Sequence, residues 1–108
     1  MPRVSVITPC YNAGRFIGET IESVLKQSFS DWEYTLVDDG STDNSREVIT
    51  SYLKNDSRLR LISQPNRGVA AARNLGFEAS SKESKFLLFL DADDVLEQDM
   101  LKVFAYYL

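Results

Sequence analysis

Histidine is absent from this chain and cysteine occurs once, as Cys10. The first absence excludes histidine-based catalytic triads and His-ligated zinc centres. The second excludes an internal disulfide framework, which fits a reducing compartment. With no histidine to activate it, Cys10 reads as an inert thiol rather than a nucleophile. Positive charge is also scarce. Twelve Lys and Arg against 16 Asp and Glu leave a net charge of −4, with no basic stripe for a nucleic-acid backbone. No apolar run approaches the roughly 20 residues of a membrane-spanning helix. Met1-Pro2-Arg3 leads into a short apolar segment without a signal-peptide pattern. Internal repeats, low-complexity tracts and linkers are missing as well, so the domain reads as soluble.

What remains is a single domain's worth of chain. Its 108 residues are 44% hydrophobic, with six Phe and five Tyr, enough for a core and too apolar for disorder. Four β-rich runs alternate with helix-length segments. Val4 to Thr8 is the first, ended by Pro9, and Phe16 to Ser28 then carries Ile17, Ile21, Val24 and Leu25 on one helical face. Glu33 to Val37 is the second, stopping at the turn formers Asp38-Asp39-Gly40-Ser41. Asn44 and Glu47 resemble a capping pair for a helix with the buried stripe Val48, Ile49, Tyr52 and Leu53. Arg58 to Ile62 alternates like a half-exposed strand, Pro65 to Gly68 forms a turn, and Val69 to Ser80 is an Ala-rich helix. Phe86 to Leu90 is unbroken apolar sequence, predicting a central strand buried on both faces. Glu97 to Leu108 reads as a final helix. The expected fold is α/β, a mostly parallel sheet of about four strands flanked by helices, with right-handed crossovers.

Ligands of such sheets bind beyond the carboxyl ends of the strands. The loops expected at that edge are Pro9-Cys10-Tyr11-Asn12, Asp38-Asp39, Gln64 to Gly68 and Asp91-Ala92-Asp93-Asp94. Five carboxylates would gather there and repel one another unless a divalent cation or a ligand's donors met them. Asp91 and Asp93, in D-x-D spacing, suit a hard ion such as Mg²⁺ or Mn²⁺, one meeting the metal and the other a ribose hydroxyl or a metal-bound water. Alone the triplet is weak, because Asp93 or Asp94 would serve equally as a helix cap. Its place after an apolar strand, with a second acidic pair elsewhere on the edge, favours the metal. Asp38 and Asp39 are either turn residues or acceptors for a base N–H. Tyr11 either flanks a base or packs, and Arg73 faces either solvent or phosphates.

Taken together, these stretches resemble the family 2 glycosyltransferases, the inverting group with the GT-A fold. The matching segments are Val4 to Asn12, Ser23 to Phe29, Val37 to Asp43, Asn66 to Asn74 and Leu90 to Asp94, in order and spanning nearly the whole chain. The resemblance implies a Rossmann-like domain, residues 1–108, that binds a nucleotide-diphospho-sugar and is truncated before the acceptor-binding region. It implies a UDP-type donor, a divalent metal (Mn²⁺ or Mg²⁺) and displacement with inversion. Pro9 and Tyr11 would lie beside the base, Asp39 on its N–H, Arg73 near the nucleotide, Asp91 near the ribose or sugar, and Asp93 on the metal. The candidate donor-binding set is Pro9, Tyr11, Asn12, Asp38, Asp39, Arg73, Asp91 and Ala92, and the metal ligands are Asp93 and Asp91. The general base belongs to the acceptor region, and nothing here matches it. The acceptor is expected to be a saccharide or lipid-linked, and the site cytoplasmic, with the full-length protein peripheral to the inner face of the membrane. Self-association is expected through the sheet edge or the apolar tail Phe104 to Leu108.

Rival folds fit less well. A two-component receiver domain would carry its acidic pair after strand one and its phosphorylated Asp after strand three, where Pro9 to Asn12 and Gln64 to Asn66 stand. A dinucleotide-binding oxidoreductase needs G-x-G-x-x-G after strand one, and only Gly14 and Gly18 occur there. A sugar nucleotidyltransferase would want a basic, Gly-rich first loop. A nucleotide-binding module without catalysis is the remaining alternative.

Overall fold

The computed structural model describes residues 3–106, with Phe104 described by its backbone alone. The elements run β1 (Val4–Cys10), α1 (Ile17–Leu25), β2 (Trp32–Asp39), α2 (Ser45–Leu53), β3 (Leu59–Gln64), α3 (Val69–Ala79), β4 (Phe86–Phe89) and α4 (Met100–Tyr106). The four strands form one parallel sheet in the order β3-β2-β1-β4. Successive strands step outward from β1 to β3, and the chain then crosses back to place β4 on the other side of β1. That reversal is a topological switch point, and sheets of this kind bind ligands beyond the carboxyl ends of the strands beside it.

Alternation along the strands sorts the core. Val4, Val6 and Cys10 of β1, with Tyr34 and Leu36 of β2, pack with Ile17, Ile21 and Val24 of α1, Ile49 of α2 and Leu101 of α4. The opposite face of β1 and β2 carries α3. Contact there is close because Gly76 has no side chain: a Cβ at that position would stand 2.4 Å from Ile7 Cγ2.

Several boundaries differ from the expected ones, each for a physical reason. Pro9 lies inside β1 rather than ending it. Leu90 N–H donates to the Ile7 carbonyl, so residue 7, and by alternation residue 9, turns its backbone groups toward β4. The β1–β4 register stops at Ile7 and Phe89, and the missing Pro9 N–H therefore deprives no partner. Strand β2 runs on through Asp38 and Asp39, buried along its full length. The strands buried on both faces are thus β1 and β2, while β4 is one of the two sheet edges. Leu87 and Phe89 are 39% and 45% exposed because α3 crosses β1 and β2 and leaves that face of β4 uncovered. Asn44 makes no capping hydrogen bond. Asp43 Oδ1 accepts from Ser45 N–H and Ser45 Oγ instead. Helix α4 begins at Met100 rather than Glu97, so neither Asp93 nor Asp94 caps it. Tyr107 and Leu108 of the expected tail lie outside the described residues. No helix among the described residues is long and apolar enough to cross a membrane.

Candidate functional site

Hydrogen bonds between loops build the carboxyl edge of the sheet. Asn12 has a left-handed backbone, φ 49°. Its amide oxygen accepts from Thr42 N–H at 2.8 Å and Asp43 N–H at 3.3 Å. In return Asn12 N–H donates to Ser41 Oγ, Ala13 N–H to Ser45 Oγ, and Gly14 N–H to Asp43 Oδ2. The loops after β1 and β2 are thereby laced together by donors and acceptors from both sides. Asn12, expected among the donor contacts, has its acceptor oxygen committed to this lacing.

Asp38 and Asp39 point to opposite faces of the sheet, as consecutive strand residues must. Asp38 is fully buried on the α1–α2 side, where it accepts from Ser41 N–H and lies 3.6 Å from Arg46 Nε. It has no exposed surface in this structure, and its partners tie it to the turn after β2 and to α2. Burial on the same side pushes the Cys10 thiol up, consistent with an inert group. Asp39 turns toward α3. Its Oδ1 accepts from Gln64 Nε2 at 2.8 Å and Arg67 N–H at 2.7 Å, and its Oδ2 from Gly68 N–H at 3.0 Å. Burial works to raise the Asp39 carboxyl, but these hydrogen bonds together hold it below the ordinary carboxylate range. The next residue, Gly40, takes φ 75° with Asn66 N only 2.7 Å from where a Cβ would sit, so the β3–α3 loop docks directly on this turn.

Between these loops lies a cavity of about 280 Å³ lined by Pro9, Cys10, Tyr11, Asp39, Asn66, Gly68 and Val69. Tyr11 is half exposed at its rim. Two larger hollows flank α1 and α2, away from the strand ends.

Across the switch point the chemistry changes. Asp91, Asp93 and Asp94 are exposed, and they offer carboxylate oxygens that all lie within 4.8 Å of one another. A turn closed by Asp94 N–H on the Asp91 carbonyl brings them together. Arg73 of α3 reaches Asp91 Oδ1 at 3.4 Å, and among the described residues no ion pair reaches Asp93 or Asp94. Three mutually repelling hard-oxygen ligands, only one of them paired with a cation, fit a divalent cation of the Mg²⁺ or Mn²⁺ kind. Asp94 was not expected as a third ligand. Its signal was the run of acids itself, since one turn is enough to gather residues spaced three apart.

The expected site residues therefore separate into three groups. Pro9, Tyr11 and Asp39 share the cavity; Arg73, Asp91, Ala92 and Asp93 gather at the acidic loop; Asn12 and Asp38 hold the frame.

Comparison with known proteins follows this geometry. The profile described as Glycosyl transferase family 2 matches residues 5–108. Glycosyltransferase GlyG of Streptococcus pneumoniae serotype 4 is 39% identical over 100 residues, covering 92% of this chain and 33% of that protein. The crystal structure of S. aureus TarS 1-349 in complex with UDP-GlcNAc superposes with a TM-score of 0.90 at 32% identity, covering 99% of this chain and 31% of that one. Mannosyltransferase PcManGT from Pyrobaculum calidifontis, solved with GDP-Man and Mn²⁺, gives 0.79 at 27% identity over 87% of this chain and 28% of that one. The chain thus spans a minor part of the length of these relatives.

Proposed function

The chain belongs to glycosyl transferase family 2, with the α/β fold of GT-A enzymes, and from that premise we propose that it is the donor-binding part of an inverting, metal-dependent transferase that uses a UDP-sugar. One observation carries the reading. A small cavity with a single carboxylate acceptor stands across the switch point from three clustered acids, a spacing of functions suited to a nucleobase at one end and a diphosphate at the other.

Tyr11 and Pro9 flank the base. Asp39 Oδ2 accepts one hydrogen bond within the chain and has capacity for a second, which the ring N–H of uracil supplies. Asp91, Asp93 and Asp94 hold the metal, and Arg73 balances Asp91 and faces the phosphates. A divalent metal bound there supplies Lewis-acid neutralisation of the departing diphosphate. The acceptor is a saccharide or a lipid-linked glycan, in polysaccharide biosynthesis, and no residue of this chain is assigned as the general base.

The test is calorimetry of UDP binding with Mn²⁺ and then with EDTA, with GDP and ADP as competitors. Metal-dependent binding selective for UDP supports the reading, and binding of none of the three by the folded protein rejects it. UDP binding without transfer to any acceptor would instead favour a nucleotide-binding module.

A further inference from the structure

A polar stripe on α1 takes up the backbone of residues 92–101. Thr20 and Ser23 lie one turn apart, and Gln27 and Ser28 continue the stripe just past the helix end. Thr20, fully buried, donates through Oγ1 to the Ala92 carbonyl at 2.8 Å. Ser23 Oγ donates to the Thr20 carbonyl and accepts Leu96 N–H at 3.0 Å. The buried amide of Gln27 donates to the Glu97 carbonyl at 2.7 Å and accepts Leu101 N–H at 3.0 Å. Ser28 N–H donates to the Gln98 carbonyl. Segment 92–99 contains no helix or strand, so these side chains satisfy backbone groups that would otherwise need solvent.

The first rung has a specific consequence. Ala92 lies between Asp91 and Asp93, and its carbonyl belongs to the planar peptide unit that enters Asp93. Fixing that oxygen fixes the plane from which the Asp93 side chain departs. Three like charges within a few ångströms favour spreading of the loop, and Thr20 opposes it from the side away from solvent.

We propose that Thr20 is a positioning residue for the acidic loop: it holds Asp91, Asp93 and Asp94 in convergent geometry before a cation arrives. This rests on the metal reading of the same loop. The test compares Thr20→Val, which keeps the side-chain shape and removes the hydroxyl, with Thr20→Ser, which restores it. Thr20→Val is expected to weaken Mn²⁺ binding about tenfold by calorimetry, at the lower end of losses for groups that orient metal ligands. Thr20→Ser recovers the wild-type value, and uridine affinity in EDTA stays unchanged in both.

Amide exchange in EDTA supplies a metal-free readout, because Asp94 N–H is bonded to the Asp91 carbonyl. Thr20→Val is expected to speed exchange at Asp94 while leaving exchange in β1 and β2 unchanged. A purely structural threonine would lower the melting temperature and leave the folded protein's Mn²⁺ affinity intact, which overturns the proposal. If the wild-type protein binds no Mn²⁺, the metal reading fails on its own. The exchange measurement then decides the loop: faster exchange at Asp94 upholds the positioning role, and unchanged exchange refutes it.

Discussion

The two ends of the site are built on opposite principles. At the end proposed for the base, the loops after β1, β2 and β3 are tied to one another through Asn12, Ser41, Asp43, Ser45 and Asp39, and the Asp39 carboxylate already receives three donors from its own chain. At the acidic end, three exposed carboxylates cluster and, among the described residues, only Asp91 has an arginine partner. Hydrogen bonds organise the first end before any ligand binds, while the second has its backbone fixed from behind and the charges of Asp93 and Asp94 without an ion-pair partner among the described residues. The difference teaches how a pocket divides its work. Under the proposed function, a neutral base would gain from a preformed cradle, whereas a diphosphate with its cation would bring the charge that the acids lack.

The sharpest way to break this contrast is to remove an acid. Asp93→Ala is expected to lower Mn²⁺-dependent UDP affinity by on the order of a hundredfold or more, since losing a ligand exceeds the cost of losing the groups that orient it. Its melting temperature in EDTA should match or exceed wild type, because one member of a repelling cluster is gone. Unchanged Mn²⁺ dependence in a calorimeter would refute the metal assignment. Asp39→Ala should behave in the opposite way. It strands the amides of Arg67 and Gly68 and is expected to cost about 2 kcal/mol of stability in urea denaturation. Uridine affinity should fall as well, with or without metal. Wild-type stability and wild-type uridine affinity together would mean that the base end is not organised by this carboxylate.

Much of this division was legible in the residue order. Four apolar runs, each followed by turn formers or acids, set the strand–helix alternation and put Tyr11, Asp39 and Asp91 to Asp94 on one edge. What was not legible depended on neighbours. An apolar run such as Phe86 to Phe89 reads alike whether a helix covers its second face or, as here, none does. Pro9 was tolerated within β1 only because β4 ends beside it. Asp38 and Asp39 looked equivalent until β2 ran through both and turned them to opposite faces. Thr20, Ser23 and Gln27 were the least visible, standing among Glu19, Glu22 and Lys26 as ordinary polar helix positions. Their signal was present: an uncharged polar stripe at helical spacing beside an apolar one marks a face that meets backbone rather than water.

Asn12 offers a smaller test of the same cradle. Asn12→Ala removes the acceptor for Thr42 and Asp43 N–H and leaves a residue poorly suited to φ 49°. The expected loss is about 1–2 kcal/mol, combining the lost hydrogen bonds with backbone strain. Asn12→Gly separates the two, because glycine takes the left-handed backbone freely and lacks the acceptor. A glycine variant as stable as wild type would show that the lacing between the first two loops contributes little and that strain alone mattered.

The mildest perturbation is acid, and its sign follows from the carboxylates that do the tying. Asp39 is held below the ordinary range by donors that outweigh its burial, and Asp43 chiefly by the Ser45 hydroxyl. In the unfolded chain both return to about 3.9. A group whose folded value is depressed contributes stability that is present above the unfolded value and disappears as pH falls through the folded one. Protection of the Arg67 and Gly68 amides, which bind Asp39 directly, should therefore be level at neutral pH and decline below about pH 4. Asp39→Asn should flatten that decline, because its side chain does not titrate there. Protection that stays flat in the wild-type protein across the acid range would assign the order of this loop to the packing of Asn66 on Gly40, leaving the carboxylate free for a base alone.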